Sequence, residues 1–365
     1  MASFQLIQRA LCLISIFLSL AAAAPHVLNP EVRKRGISDD GSAVSMGSGT
    51  YPRATFRADG SILSCFTIFS GSNTILTVAS SADGGVAWTV IGSVATEVTQ
   101  THDLDNCNVH TLPSGRILAA FRNHDQLAEG NSSWYYYRIV ISYSDDGGVT
   151  WSYLSTPRTS ATKGLGLWEP FLMDALDGSL MLYYSYETST TGDDQDSILI
   201  TSTDGGVTWS ADQTISGANI TCRDGMVGVA RLGTGTSTLV AVFESLDPDT
   251  GIHAITSTDD GATWGDRRVV YASSVSGADQ GAPQIAYING QLVVSFQTNE
   301  DTLTTVTADW DVKVVVSTDS GVTWGEKTTV VDSCNWAGEL TVDDQHLLVM
   351  CGGAGGTMAQ TMLVS

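Results

Sequence analysis

Glu169, within Leu167-Trp-Glu-Pro170, and Glu244, which closes the apolar run Val240-Ala-Val-Phe243, are the carboxylates best placed for acid–base chemistry. Two carboxyl groups facing each other across a cleft with an aromatic floor can cleave a glycosidic bond. One attacks or activates water, while the other, protonated, releases the leaving oxygen. Their pKa values must then be pushed apart by burial and neighbouring charge. Arg223 near one and the apolar Phe243 near the other supply both influences, and Trp168 and Trp336 offer faces for a sugar ring. A glutamate closing an apolar strand is more often a rim residue. Glu187, after Leu182-Tyr-Tyr-Ser-Tyr186, takes the corresponding place one repeat earlier and competes with Glu244 for the role.

The elements that must position these groups are set by a repeat. The motif Ser-x-Asp-x-Gly-x-Thr-Trp occurs five times, ending at Trp88, Trp151, Trp209, Trp264 and Trp324, with Ala87 replacing Thr in the first copy. Its Ser and Asp can bond nearby amides to close a turn, its Gly supplies an unusual backbone angle, and its Trp buries a large ring. Each copy follows a β-branched run such as Val312-Lys-Val-Val-Val-Ser317, and upstream lies a hairpin signal such as Ala58-Asp59-Gly60 or Ile288-Asn289-Gly290. Four strands per unit make a blade. A further hairpin from Trp336 to Met350 lacks the motif but repeats the first two strands. The expectation is an all-β, six-bladed β-propeller with five such turns, filling residues 36–365 as a single domain.

Inner strands of a propeller start around a central channel. Counting nine residues back from Gly60, Gly115, Gly178, Gly233, Gly290 and Gln345 reaches Tyr51, Asn106, Glu169, Asp224, Gly281 and Trp336. Arg53, two residues beyond Tyr51, shares its strand face. Asp105, Trp168 and Arg223 flank the ring. Tyr51, Arg53, Asp105, Asn106, Trp168, Arg223, Asp224 and Trp336 are therefore the expected substrate contacts around Glu169 and Glu244.

The N-terminus reads as transport. Arg9 precedes the apolar run Ala10–Leu20, which ends in Ala21–Ala24, the pattern of a signal peptide over residues 1–24. Residues 25–35 read as a propeptide ending at the basic site Arg33-Lys34-Arg35. The chain carries 17 basic and 39 acidic residues, a net charge of −22; losing residues 1–35 removes four basic residues and one acidic one, leaving −25. So acidic a surface repels polyanions, which excludes nucleic acid and anionic membranes as partners. Sequons at Asn131 and Asn219 agree with secretion. Five cysteines remain after Cys12, so all cannot pair; Cys334 and Cys351 flank one hairpin, but buried free thiols are an equal alternative. No Cys-x-x-Cys or His-x-x-x-His spacing suggests a metal, and no cofactor is expected.

Thr50-Tyr-Pro-Arg53, Asp103-Leu-Asp-Asn106, Phe121-Arg-Asn-His-Asp125, Leu167-Trp-Glu-Pro170, Arg223-Asp-Gly-Met226 and Phe243-Glu-Ser245, together with the Asp-box turns, resemble the secreted fungal exo-arabinanases of glycoside hydrolase family 93, in the sialidase superfamily. The resemblance covers nearly all of the chain after residue 40. It implies a sialidase-like propeller, retention of anomeric configuration, and release of arabinobiose from the non-reducing end of α-1,5-L-arabinan, with Glu169 as nucleophile and Glu244 as acid/base. It also implies a neutral plant cell-wall polysaccharide as partner, and a monomer is expected. A sialidase is the nearest rival, but only Arg53 and Arg223 fall at the inner register, too few to clamp an anionic sugar. A non-catalytic sugar-binding propeller would repeat one site in every blade, whereas here the ring differs from blade to blade.

Overall fold

Each Asp-box turn is closed by its own side chains. In the copy ending at Trp151, the Ser144 hydroxyl accepts from the Gly148 amide and donates to Asp146, both at 2.8 Å. The Asp146 carboxylate accepts from the amides of Val149 and Thr150 and from the Thr150 hydroxyl at 2.6 Å. The Trp151 indole donates to the Gly148 carbonyl at 2.9 Å. Gly148 has φ +95°, an angle that favours glycine. The turn ending at Trp209 repeats this set, as does that ending at Trp264, except that there the Ala262 amide donates to the Asp259 carbonyl.

The computed structural model describes residues 36–126, 134–246 and 250–365. The signal and propeptide readings and the Asn131 sequon lie outside the described residues; Asn219 is exposed. Strands β1 (Ile37–Asp39) and β2 (Val44–Gly47) precede a sheet of β3 (Thr50–Phe56), β4 (Ile62–Ser70), β5 (Asn73–Ser81) and β6 (Thr89–Val98). A second contains β7 (His102–Thr111), β8 (Ile117–Gln126), β9 (Trp134–Ser144) and β10 (Ser152–Ser160). Next come β11 (Leu167–Asp174), β12 (Leu180–Glu187), β13 (Gln195–Ser202) and β14 (Gln213–Ser216), then β15 (Arg223–Arg231), β16 (Leu239–Leu246), β17 (Gly251–Ser257) and β18 (Gly265–Tyr271). These two antiparallel groups join into one eight-stranded sheet through a single parallel pairing, Gln195 with Arg223. A fourth sheet holds β19 (Gln280–Ile288), β20 (Gln291–Thr298), β21 (Asp311–Ser317) and β22 (Gly325–Val331). The last sheet holds β23 (Cys334–Thr341), β24 (His346–Gly353) and β25 (Gly356–Val364), with β1 and β2 both pairing to β25.

The fold is an all-β propeller. A 3₁₀ turn at Thr307–Asp309 is the one helical element among the described residues. Apolar clusters fill the gaps between neighbouring sheets, as where Leu63 and Val78 meet Ile117 and Phe121. The N-terminal strand closes the ring: Gly36 and Ser365 exchange backbone hydrogen bonds at 3.1 and 2.9 Å. Two disulfides form, Cys65–Cys107 between the first two sheets and Cys334–Cys351 within the last; Cys222 is free and buried.

Candidate active site

Each innermost strand carries a bulge at the same height. Pairing skips two residues between Thr50 and Arg53, Asp105 and Asn108, Trp168 and Phe171, Gly225 and Gly228, Gly281 and Gln284, and Asn335 and Gly338. The first residue skipped has positive φ in every case: Tyr51, Asn106, Glu169, Met226, Ala282 and Trp336, between +46° and +57°. A β-bulge with a left-handed residue re-aims a side chain, and six such residues form the ring. The count from the hairpin glycines therefore needs correction in two places, Met226 for Asp224 and Ala282 for Gly281.

Asp224 is not a substrate contact. It is fully buried in the wall, accepting from Ser216 at 2.5 Å and paired with Arg267 at 3.1 Å. The pairing also realigns the second strands, where Thr67, Arg122, Ser185, Glu244, Gln297 and Gly352 stand opposite the residue preceding each bulge. Ser185, not Glu187, corresponds to Glu244. Glu187 accepts from Arg223 at 3.1 Å and from the Gly166 amide at 3.1 Å, so it serves as a brace for Arg223.

Glu244 caps a neighbour. Its Oε2 accepts from the Ala282 amide at 2.7 Å, as the Ser185 hydroxyl does from Met226 and the Gln297 amide oxygen from Trp336, both at 2.9 Å. A Cβ at Gly281 would lie 2.4 Å from the same carboxylate oxygen, so glycine makes room for it. Glu169 projects from the bulge one strand group earlier, and its Oε2 is buried with no hydrogen-bond partner. Burial pushes the Glu169 carboxyl up to about 7, opposed by Arg122 and reinforced by the charge of Glu244. Burial also raises Glu244, opposed by the Ala282 amide and Arg223. The two acids thus share one electrostatic environment, both above the ordinary carboxylate range.

Tyr51 lies under Arg53, whose guanidinium carbon is 4.0 Å from the ring centre, and Trp336 is 6.4 Å from Tyr51. Burial pushes the Tyr51 hydroxyl up to about 12, with Arg53 opposing. Arg53 donates to the carbonyls of Pro52 and Trp336 at 2.8 and 2.9 Å. Trp168 packs edge-on against His124, Trp134 and Tyr137. Asp105 accepts from Thr67 at 2.5 Å, and Asn106 is buried.

Arg122 is the residue that sequence reasoning left out. It donates to Asn106 at 2.5 Å, to Asp103 at 3.1 Å and to Asp105 at 3.4 Å, and its guanidinium stands 5.1 Å from the Trp168 ring. The signal was available, since Arg122 closes the apolar run Ile117–Phe121 just as Glu244 closes its own. Three arginines therefore reach the site, one more than expected. Arg122 is committed to two carboxylates and Arg223 to Glu187, which leaves Arg53 alone without a carboxylate partner within ion-pair distance. Among the described residues no group of three His, Cys, Asp or Glu is arranged to hold a metal.

No family model and no curated protein matches this chain. Solved structures do. The α-L-arabinofuranosidase Arb93A of Fusarium graminearum superposes with a TM-score of 0.66 at 20% identity, covering 87% of this chain and 93% of its own. An α-L-arabinanase of Penicillium chrysogenum, solved with arabinobiose, gives 0.63 at 19%, covering 90% and 97%. A Hadza microbial sialidase gives 0.61 at 16%, covering 86% and 65%. At these identities the likeness establishes the fold alone, a β-propeller.

Proposed function

We propose that the protein is a secreted, retaining exo-glycosidase of α-1,5-L-arabinan that releases arabinobiose, on a propeller of six blades. The blade count follows if the two halves of the eight-stranded sheet, joined by one residue pair, are separate blades. The observation that carries the function is the placement of Glu169 and Glu244, two buried, raised carboxyls from adjoining strand groups, with the charge of Glu244 adding to the rise at Glu169. Two of the similar folds are an arabinofuranosidase and an arabinanase, which favours arabinan over other neutral polysaccharides. Two disulfides suit an oxidising compartment and so the secretory reading.

In this reading Glu169 attacks the anomeric carbon while Glu244 protonates the departing oxygen, then Glu244 activates the water that releases the sugar. A specific observation favours the reverse roles. The Ala282 amide bonds the ionised form of Glu244, whereas Glu169, with the Ser185 hydroxyl beside it but no hydrogen bond of good geometry to Oε2, is pushed up to about 7 by burial, which suits Glu169 as the proton donor. Substrate must then move that proton for Glu169 to attack. Arabinosides with an activated leaving group separate the two: the variant lacking the acid keeps its first step, and the variant lacking the nucleophile does not. Retained first-step activity in Glu169→Gln, absent in Glu244→Gln, would reverse the roles. Time-resolved chromatography of products from linear arabinan tests the substrate and mode; a mixed ladder would mean endo action, and no product from folded protein would end the arabinan reading.

A further inference from the structure

The strand groups that carry Glu169 and Glu244 are fastened to each other along one seam. Gln195 with Arg223 is the one strand pairing between neighbouring groups among the described residues. Arg223 stands at the head of β15, where it pairs with Leu246, and two residues further on Gly225 pairs with Glu244. Its side chain reaches back across the seam. Nη1 donates to the Gly192 carbonyl at 2.8 Å and Nη2 to Glu187 Oε1 at 3.1 Å. Glu187 is itself anchored to Gly166, three residues before Glu169: its Oε2 accepts from the Gly166 amide at 3.1 Å, and its own amide donates to the Gly166 carbonyl at 3.0 Å. One ion pair therefore ties the segment leading into Glu169 to the strands that hold Glu244.

Glu187 has no counterpart in the other groups. Two residues beyond bulge height on the second strands come Phe69, His124, Glu187, Leu246, Asn299 and Ala354, and Glu187 is the one carboxylate among them. The side chains of Glu187 and Arg223 are 14% and 27% exposed, and a pair so open to water adds little to stability. The charge it fixes matters more. Arg122 of β8 acts on Glu169 and the Ala282 amide of β19 on Glu244, whereas Arg223 opposes the rise of both acids. Tyr51 and Arg53 of β3 also lie in the field of Glu169. An arginine side chain has many rotamers, so one that loses its carboxylate partner gains freedom by turning to solvent, and its charge then weakens at the acids.

We propose that Glu187 is a positioning residue: it holds the Arg223 guanidinium at the seam, so that one fixed positive charge serves both Glu169 and Glu244. Its part in turnover rests on the glycosidase reading above; its electrostatic part does not. The sign of the effect identifies the route. Were Glu187 acting directly as a negative charge, its removal would make both acids easier to ionise. Release of Arg223 makes them harder to ionise.

A pH titration of protein labelled with ¹³C-glutamate, followed by NMR at the side-chain carboxyl carbons, tests this without substrate; Glu169→Gln and Glu244→Gln assign the two signals. In Glu187→Ala both midpoints should rise, by up to about one pH unit. Arg223→Ala should raise them at least as far, and the double variant no further than Arg223→Ala, because Glu187 acts through Arg223. Midpoints that stay or fall in Glu187→Ala overturn the proposal, as do shifts that add in the double variant. Should Glu187→Ala not fold, Glu187→Gln, which keeps an oxygen for the Gly166 amide, is read in its place with the same expected sign. With an arabinoside substrate, the limbs of the pH profile of kcat/KM should move with the midpoints. Raised midpoints in the variants, beside a wild type that leaves arabinan intact, would defeat the function proposed above and leave the role of Glu187 standing.

Discussion

At the scale of single residues, the cap that Glu244 makes on Ala282 separates structure from chemistry. Gln297 makes the same cap on Trp336 with a neutral amide. Glu244→Gln should therefore keep the cap and the melting temperature while losing at least ~100-fold in turnover of arabinan, the scale of a missing general acid. A fall of several degrees in Tm would show instead that the charge holds the bulge. Gly281→Ala makes the complementary test. Gly281 does not have a positive φ, so alanine suits its backbone, but the new Cβ would strike the Glu244 carboxylate. Displacing an acid by about 1 Å costs on the order of 100-fold in rate. Activity should drop by that order and Tm should fall as Glu244 is pushed off its cap on Ala282, whereas full activity would place Glu244 outside the reaction.

The strands and turns show which parts of the fold were legible in the sequence. The Asp box was, because its side chains bond within the turn, and so predictions about it can be made from one copy to another. Ala87 leaves the Asp83 carboxylate without the hydroxyl that Thr150 gives Asp146 at 2.6 Å. Ala87→Thr should add that bond, about 1 kcal/mol and a rise of roughly 1–2 °C in Tm for a domain of this size; an unchanged Tm would mean the exposed hydroxyl bond contributes nothing. The ring was legible in four strands and misplaced in two, for a reason of turn length. Counting back from a hairpin glycine assumes equal hairpins, but Asn289-Gly290 is a two-residue turn between paired Ile288 and Gln291, while the connection from Leu232 to Thr238 is longer. A count from Gly235 would have reached Met226. Glu187 resembles Glu244 because each follows the apolar second strand of its repeat; only the pairing of Trp168 with Ser185 shows the offset of two. Arg122 closes an apolar strand as Glu244 does, but a charge at a strand end is as often a rim residue, and only the pairing of Asp105 with Arg122 puts it at the height of the bulge.

The whole molecule carries opposing sets of carboxyls, and their balance fixes its response to pH. Asp146, Asp204 and Asp319 are held down to about 2, chiefly by hydrogen bonds from the box threonines, and Glu300 is held at about 2 by Lys327, Tyr271 and Lys313 against the effect of burial. Depressed groups stabilise the fold above their ordinary values of 3.8 and 4.5, and that stability is lost as pH falls through about 2. Glu169, Glu339 and Asp196 are the reverse, raised by burial to about 7, 8 and 6. Each binds its proton more tightly folded than unfolded, so its contribution is complete below its ordinary value and is lost as pH rises through those folded values. The net charge of −22 adds self-repulsion on the alkaline side. The two limits leave a maximum at mildly acidic pH, between about 4 and 5.5 on this linkage argument. Melting temperature measured from pH 3 to pH 9 should peak in that window and fall towards pH 8. Glu339→Leu removes one of the raised groups, so its Tm should fall less between pH 5 and pH 8 and should exceed the wild-type value at pH 8. A wild-type Tm that is level or rising over that interval would contradict the burial of these acids, and a Glu339→Leu curve parallel to the wild type would show that residue 339 is not where the proton is held.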